Sequence, residues 1–412
     1  MSSQAWIIKS HVIPASHIRG YSRGVQDECS EIPLRLAVKQ YTPRSNTSPQ
    51  AGDVTIIFTP GLAASKESFE PFYDDLLLAS NEQFRIRAIW AADPAFSAAS
   101  YVLNEDVIGE HPNWIDHARD LIHMVNYFQK HMPPPIFGMG ESWGVGPIFM
   151  MSSWHPRLFA GIVAIEPALG PGLEGHKWPT LPKLHPMALV SRRKDKWPSR
   201  EEATKHLSKN PHYAAMDKRV LAIALKYDLR DVYLKEPRKL GAQGALPADY
   251  ITLTTPKAME AYSWSRPDPP LFGPPDRYDA AISHANAIIV PGFYRPEASQ
   301  IYESLPHIYP PVLCIWGKKS YIPKAYMRDV MSMIGVGSNG GGGLSNGQVT
   351  QRFVEGAGHA ASLHKPEGVA QATVPWFAAE IRRWREDWEK RKIRLNFSKE
   401  LPLEWLQRIA KL

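Results

Sequence analysis

Gly140-Glu141-Ser142-Trp143-Gly144 constrains this chain more than any other stretch. It is a G-x-S-x-G pattern that directly follows the short apolar run Pro135-Ile136-Phe137-Gly138-Met139. That order predicts a strand, a sharp turn and a helix. A turn of this kind holds its serine in a strained backbone conformation with the hydroxyl exposed, and a Cβ at either glycine would collide with the neighbouring strand or helix. Ser142 is therefore the candidate nucleophile.

A nucleophilic serine needs a base, and the base needs an orienting acid. On an α/β sheet with a serine elbow the chain order is Ser, acid, His. Near the C-terminus, Gln351-Arg352-Phe353-Val354-Glu355-Gly356-Ala357-Gly358-His359 reads as a short strand, a Gly-rich turn and a histidine. His364 lies close by, but the G-A-G-H turn delivers His359 straight from a strand end, and His359 is the expected base.

The acid is expected first after the seventh strand, residues 311–317. The continuation Gly317-Lys318-Lys319-Ser320-Tyr321-Ile322-Pro323 puts Ser320 in the slot where a G-x-x-D-x-x-x-P turn carries its aspartate. Serine has no charge with which to stabilise an imidazolium. The alternative is the end of the sixth strand, Ala160-Gly161-Ile162-Val163-Ala164-Ile165-Glu166-Pro167. Glu166 is the first charged residue there. A strand-ending surface glutamate is the plainer reading, but the vacancy at Ser320 favours Glu166 as the acid.

Two backbone N–H groups must hold the oxyanion. Trp143, next after the nucleophile, supplies one. The third strand, residues 54–58, runs into Thr59-Pro60-Gly61-Leu62-Ala63. Proline lacks an N–H, so Leu62 is the expected second donor.

Composition narrows the classes. Of 412 residues, 44% are hydrophobic and 22% charged, which permits a sizeable core and argues against global disorder. Two cysteines, Cys29 and Cys314, are too few for a disulfide framework and fit a reducing compartment. No signal peptide and no run of about 18 apolar residues is visible, so no membrane span is expected. The net charge of +7 favours a polyanionic ligand, yet the basic residues are dispersed outside the C-terminal tail and no nucleic-acid motif appears. The chemistry calls for neither metal nor cofactor. The last residues, Ala410-Lys411-Leu412, are a conservative variant of Ser-Lys-Leu. They predict the peroxisomal matrix, with an import receptor as partner.

Strands are expected at residues 7–12, 36–41, 54–58 and 85–90. A helix is expected from residue 113 to residue 130, with Ala118, Leu121, Ile122, Val125 and Phe128 on one apolar face. This alternation predicts a mostly parallel sheet with helices on both faces. From about residue 171 to residue 311 the alternation stops and prolines accumulate. Helical stretches at 201–207 and 217–227 suggest a helical lid over Ser142. Gly340-Gly341-Gly342-Gly343 reads as a flexible loop before the eighth strand.

With these residues in place the chain resembles the fungal peroxisomal branch of the α/β-hydrolases, above all the type I acyl-CoA thioesterases. It is also similar to hydrolases of host-selective toxin clusters. The resemblance implies the α/β-hydrolase fold: a mostly parallel eight-stranded sheet with a helical lid inserted between strands six and seven. Residues 1–170 and 311–412 would form the core and 171–310 the lid. It implies a serine hydrolase that cleaves the thioester of a bulky acyl-CoA in secondary-metabolite biosynthesis. The thioesterase family uses aspartate as its acid, whereas this chain offers Glu166. A carboxylesterase acting on oxygen esters and a non-catalytic ligand-binding member of the fold are the rivals. Arg192, Arg193 and Lys194 open part of the lid and are candidates to meet coenzyme A phosphates, although a solvated charged face is the plainer reading. A homodimer is the open alternative to a monomer.

Overall fold

The computed structural model describes residues 2–26, 32–80, 83–169, 186–233, 239–240, 244–245, 249–267, 288–290, 293–393 and 399–412. Cys29 lies outside them. Eight strands form the main sheet: β1 (Trp6–Pro14), β2 (Arg35–Pro43), β3 (Val54–Thr59), β4 (Ile86–Ala92), β5 (Ile136–Glu141), β6 (Gly161–Ile165), β7 (Val312–Gly317) and β8 (Val349–Val354). Their spatial order is β1-β2-β4-β3-β5-β6-β7-β8. The β1–β2 and β2–β4 pairs are antiparallel, and every pair from β4 to β8 is parallel.

Every residue of β3, β5, β6 and β7 is buried. Parallel strands covered on both faces read as continuous apolar runs, which is how these stand in the sequence. Alternate residues face opposite layers. Ile57 joins one core with Trp90, Leu121, Ile148 and Trp316. Ile56 and Phe58 join the other with Met139, Val163, Ile315 and Phe377.

Helices flank the sheet: α1 (Glu70–Ala79), α2 (Trp114–Tyr127), α3 (Val145–Trp154) and, further along the chain, α4 (Lys218–Tyr227), α5 (Lys257–Trp264), α6 (Pro296–Ser304), α7 (Lys324–Met333) and α8 (Pro366–Ile393). Asn113 caps α2 by accepting from the Ile115 N–H at 2.8 Å. Of the expected apolar face, Ala118 and Leu121 are fully buried, joined by Met124.

The segment between β6 and β7 differs from the all-helical expectation. Besides Arg200–Leu207, α4 and α5 it contains a three-stranded antiparallel sheet with Asp249–Leu253 between Lys196–Trp197 and Leu229–Tyr233. Trp197, Leu207, Tyr213, Ala224, Leu229, Ile251 and Leu253 give this segment its own small core. The strands are too short for alternation to register in the sequence. Ala298, Ile301, Leu305 and Ile308 pack with the main core, so core packing resumes ahead of residue 311. The glycine run is an ordered turn rather than a loose loop: the N–H groups of Gly340, Gly341 and Gly342 donate to the carbonyls of Gly337, Ile308 and Gly335. No helix among the described residues is long and apolar enough to cross a membrane.

Candidate active site

Ser142 stands at the junction of β5 and α3, on a single 3₁₀ turn, Ser142–Gly144. Its φ is 55°, a left-handed conformation that costs a non-glycine residue of order 1–3 kcal/mol and persists only where the surroundings enforce it. The enforcement is visible at the two motif glycines. A Cβ on Gly140 would lie 2.5 Å from the Gly144 carbonyl oxygen, and one on Gly144 would lie 2.4 Å from that of Pro60. The loop after β3 is thus pressed onto the turn with no room for a side chain between them. Trp143 anchors the turn in the core. Its ring stacks on His117 at 5.7 Å and meets Trp114 and Phe96 edge-on. Burial holds the His117 imidazole down at about 4, so it is neutral there.

The structure brings Ser142, His359 and Glu166 into one line. Ser142 Oγ is 2.8 Å from His359 Nε2, and His359 Nδ1 is 3.1 Å from Glu166 Oε2. These side chains come from three separate strand ends, and 217 positions separate the serine from the histidine. Glu166 is fully buried and has a φ of 50°. Its carboxylate also accepts from the Gly317 N–H through Oε1 and from the Ser320 hydroxyl through Oε2, the latter at 2.6 Å. Ser320, in the slot the sequence left without an acid, therefore bonds the Glu166 carboxylate. Three donors on two oxygens suit an acceptor-only carboxylate. The Tyr321 ring lies against the imidazole, 4.7 Å between centroids.

His364 is not aimed at the serine. Its Nδ1 accepts from the Gly358 N–H at 3.0 Å, within the turn that presents His359. Glu141, the first variable position of the pentapeptide, is a feature that the motif hides. Its carboxyl is fully enclosed, accepts from the Ser362 N–H at 3.1 Å, and is pushed up to about 8 by burial.

Gly61 lies against Ser142, an added Cβ reaching 3.5 Å from the serine Cβ, and Leu62 follows it in the chain. Among the described residues neither the Leu62 nor the Trp143 N–H has an acceptor. No metal-binding cluster of His, Cys, Asp or Glu occurs among the described residues.

The basic trio is divided. Arg193, one of the candidates for a coenzyme A phosphate contact, is partly buried and pairs with Glu260 of α5. A buried carboxylate holds a guanidinium more strongly than exposed solvent does. Arg192 and Lys194 are exposed, as are Ala410, Lys411 and Leu412.

A serine on a strained strand–turn–helix junction, set in a sheet of this strand order, defines the α/β-hydrolase architecture. Residues 56–372 match the alpha/beta hydrolase family model, and the chain belongs to that family. Over 418 residues it is 31% identical to the type I acyl-CoA thioesterase mpaH' of Penicillium brevicompactum, covering 94% of this chain and 92% of that one. Its likeness to the abhydrolase domain-containing protein AKT2 of Alternaria alternata is local, 33% identity over 98 residues and 24% of this chain. In three dimensions it superposes on the peroxisomal alpha-beta-hydrolase Lpx1 of Saccharomyces cerevisiae with a TM-score of 0.67, at 15% identity and over 99% of this chain and 96% of that one. At that identity the superposition speaks for the fold alone.

Proposed function

We propose that this chain is a serine hydrolase that cleaves the thioester of a bulky acyl-CoA. The observation that carries the reading is the continuous line from Ser142 Oγ through His359 to Glu166, at 2.8 and 3.1 Å. The relative matched over nearly its full length, named as an acyl-CoA thioesterase, supports the choice of thioester.

In this mechanism His359 Nε2 takes the Ser142 proton as Oγ attacks the thioester carbonyl. The Leu62 and Trp143 N–H groups hold the developing oxyanion. The tetrahedral intermediate collapses, the C–S bond breaks, and the imidazolium returns its proton to the departing thiolate. Water, deprotonated by the same imidazole, then attacks the acyl-enzyme, and the acid leaves with Ser142 restored. Glu166 fixes the imidazole with Nδ1 protonated and stabilises the imidazolium. The segment between β6 and β7, approximately residues 171–310, acts as the lid that shapes the acyl pocket and excludes water.

Thiol release from a panel of acyl-CoAs, run beside hydrolysis of oxygen esters of the same acids, tests the reading. Preference for the thioesters supports it, and cleavage of the oxygen esters alone rejects it. Labelling of Ser142 by a fluorophosphonate separates an enzyme from a non-catalytic binder. The exposed Ala410-Lys411-Leu412 supports a peroxisomal setting, and a fluorescent fusion lacking those residues is expected to stay in the cytosol.

A further inference from the structure

A groove of about 730 Å³ lies beside the His359 turn, lined by Ala215, Met216, Asp217, Lys218, Arg219, Lys319, Gly356, Gly358, His364 and Lys365. Small-molecule sites have volumes of this order. Its walls come from the start of α4, from the loop after β7 and from the histidine turn. Gly358 is the residue next to His359, and Lys319 the one next to Ser320. We propose that this groove receives the phosphates of coenzyme A, an inference that rests on the acyl-CoA reading above.

Charge is the first argument. Four cations line the groove against the single carboxylate of Asp217. Arg219 is already engaged, donating to both oxygens of Asp75 at 2.8 Å and to Asp217 at 3.1 Å. Lys218, Lys319 and Lys365 are exposed and have no carboxylate partner among the described residues. Three unpaired ammonium groups converging on one concave surface attract a polyanion. The adjoining groove provides a contrast: Arg219, Arg352 and Lys365 there are balanced by Asp217, Glu355 and Glu367. The surplus is local to the groove that abuts the histidine.

Rigidity is the second argument. The Asp217 N–H donates to the Leu363 carbonyl at 2.9 Å, which ties the start of α4 to the histidine turn. The two-pronged bond from Arg219 to Asp75 ties it to α1 as well. The backbone that carries Lys218 is thus held on a fixed frame, so little backbone ordering there opposes binding. This assignment moves the phosphate contacts away from Arg192 and Lys194, whose neighbour Arg193 is committed to Glu260.

The test is calorimetric binding of coenzyme A and of pantetheine, which shares the thiol arm but lacks the phosphates, to the whole protein. Wild-type protein is expected to bind coenzyme A at least about 10-fold more tightly than pantetheine, with the difference shrinking as salt is raised. The triple variant Lys218→Ala/Lys319→Ala/Lys365→Ala, and separately Lys365→Glu, should weaken coenzyme A and leave the affinity ratio to pantetheine near one. Competition by adenosine 3′,5′-bisphosphate would locate the recognition at the nucleotide end. Unchanged coenzyme A affinity in both variants, or equal loss for both ligands, overturns the proposal. Failure of wild-type protein to cleave any acyl-CoA, with lysine-dependent coenzyme A binding intact, would instead reject the hydrolytic reading and leave the groove as a nucleotide site.

Discussion

Glu141 closes β5 and Glu166 follows β6, on neighbouring strands, the first adjoining Ser142 in the chain and the second bonded to the histidine that meets it. Both carboxyls are withdrawn from water, at 2% and 0% exposure. Glu166 is met by an N–H, a hydroxyl and an imidazole. Glu141 is met by the N–H of Ser362, and burial lifts it to about 8. The comparison shows that burial alone does not decide what a carboxyl does; the donors aimed at it do. One of the pair offers its oxygens to three donors, an imidazole among them. The other rests as a neutral strut between the serine strand and the histidine turn.

Removing the Ser142 hydroxyl sets the scale for that comparison. Ser142→Ala should lower kcat by at least about 10³-fold, measured by thiol release from an acyl-CoA, with an unaltered circular dichroism spectrum. Glu166→Gln keeps the shape of the acid but not its charge, and should lower kcat by about 10²- to 10⁴-fold. Adding Ser320→Asp to that variant returns a carboxylate to within reach of the imidazole and should recover at least about 10-fold, since the Ser320 hydroxyl stands 2.6 Å from Glu166 Oε2. No recovery would mean that the slot after β7 cannot address His359.

Glu141→Gln tests the other half of the pair. Activity at pH 7 should stay within about threefold of wild type, because the amide resembles the neutral carboxyl. Stability should respond instead. The folded carboxyl lies at about 8, against an ordinary value of 4.5. Burying it neutral is therefore fully favourable below the ordinary value, and this contribution disappears as the pH rises to about 8. Wild-type Tm should fall relative to Glu141→Gln across that window and run parallel to it above. A constant difference across the window would contradict a neutral Glu141. A similarly small change in activity is expected from His364→Ala, whose imidazole accepts from Gly358 N–H rather than from the serine. A loss of about two- to fivefold in kcat fits that supporting place, whereas a loss matching Ser142→Ala would make it the base.

The reach of the sequence follows the same division. Ser142 and the strand before it were legible because the turn admits so few residue types at positions 140, 142 and 144. The central strands were legible because both their faces are covered. Glu166 could be reasoned to from the empty slot at Ser320, but the bond between the two could not, since 154 positions separate them. Glu141 escaped notice because the pattern treats its position as free, while its burial comes from the fold. The basic trio was read without its partner for a related reason: Arg193 finds Glu260 across 67 positions, which local charge patterning cannot reveal. The strands between β6 and β7 were missed because two to five residues carry too little periodicity to be told from a loop.

The Ser320 hydroxyl has a bearing on descent as well as on chemistry. Ser320 meets Glu166 from the adjacent strand end, so if the double variant recovers activity, the acid has two berths in this architecture. A lineage holding carboxylates in both could lose either and remain active throughout. The acid could then migrate from strand to strand over generations without an inactive ancestor in between.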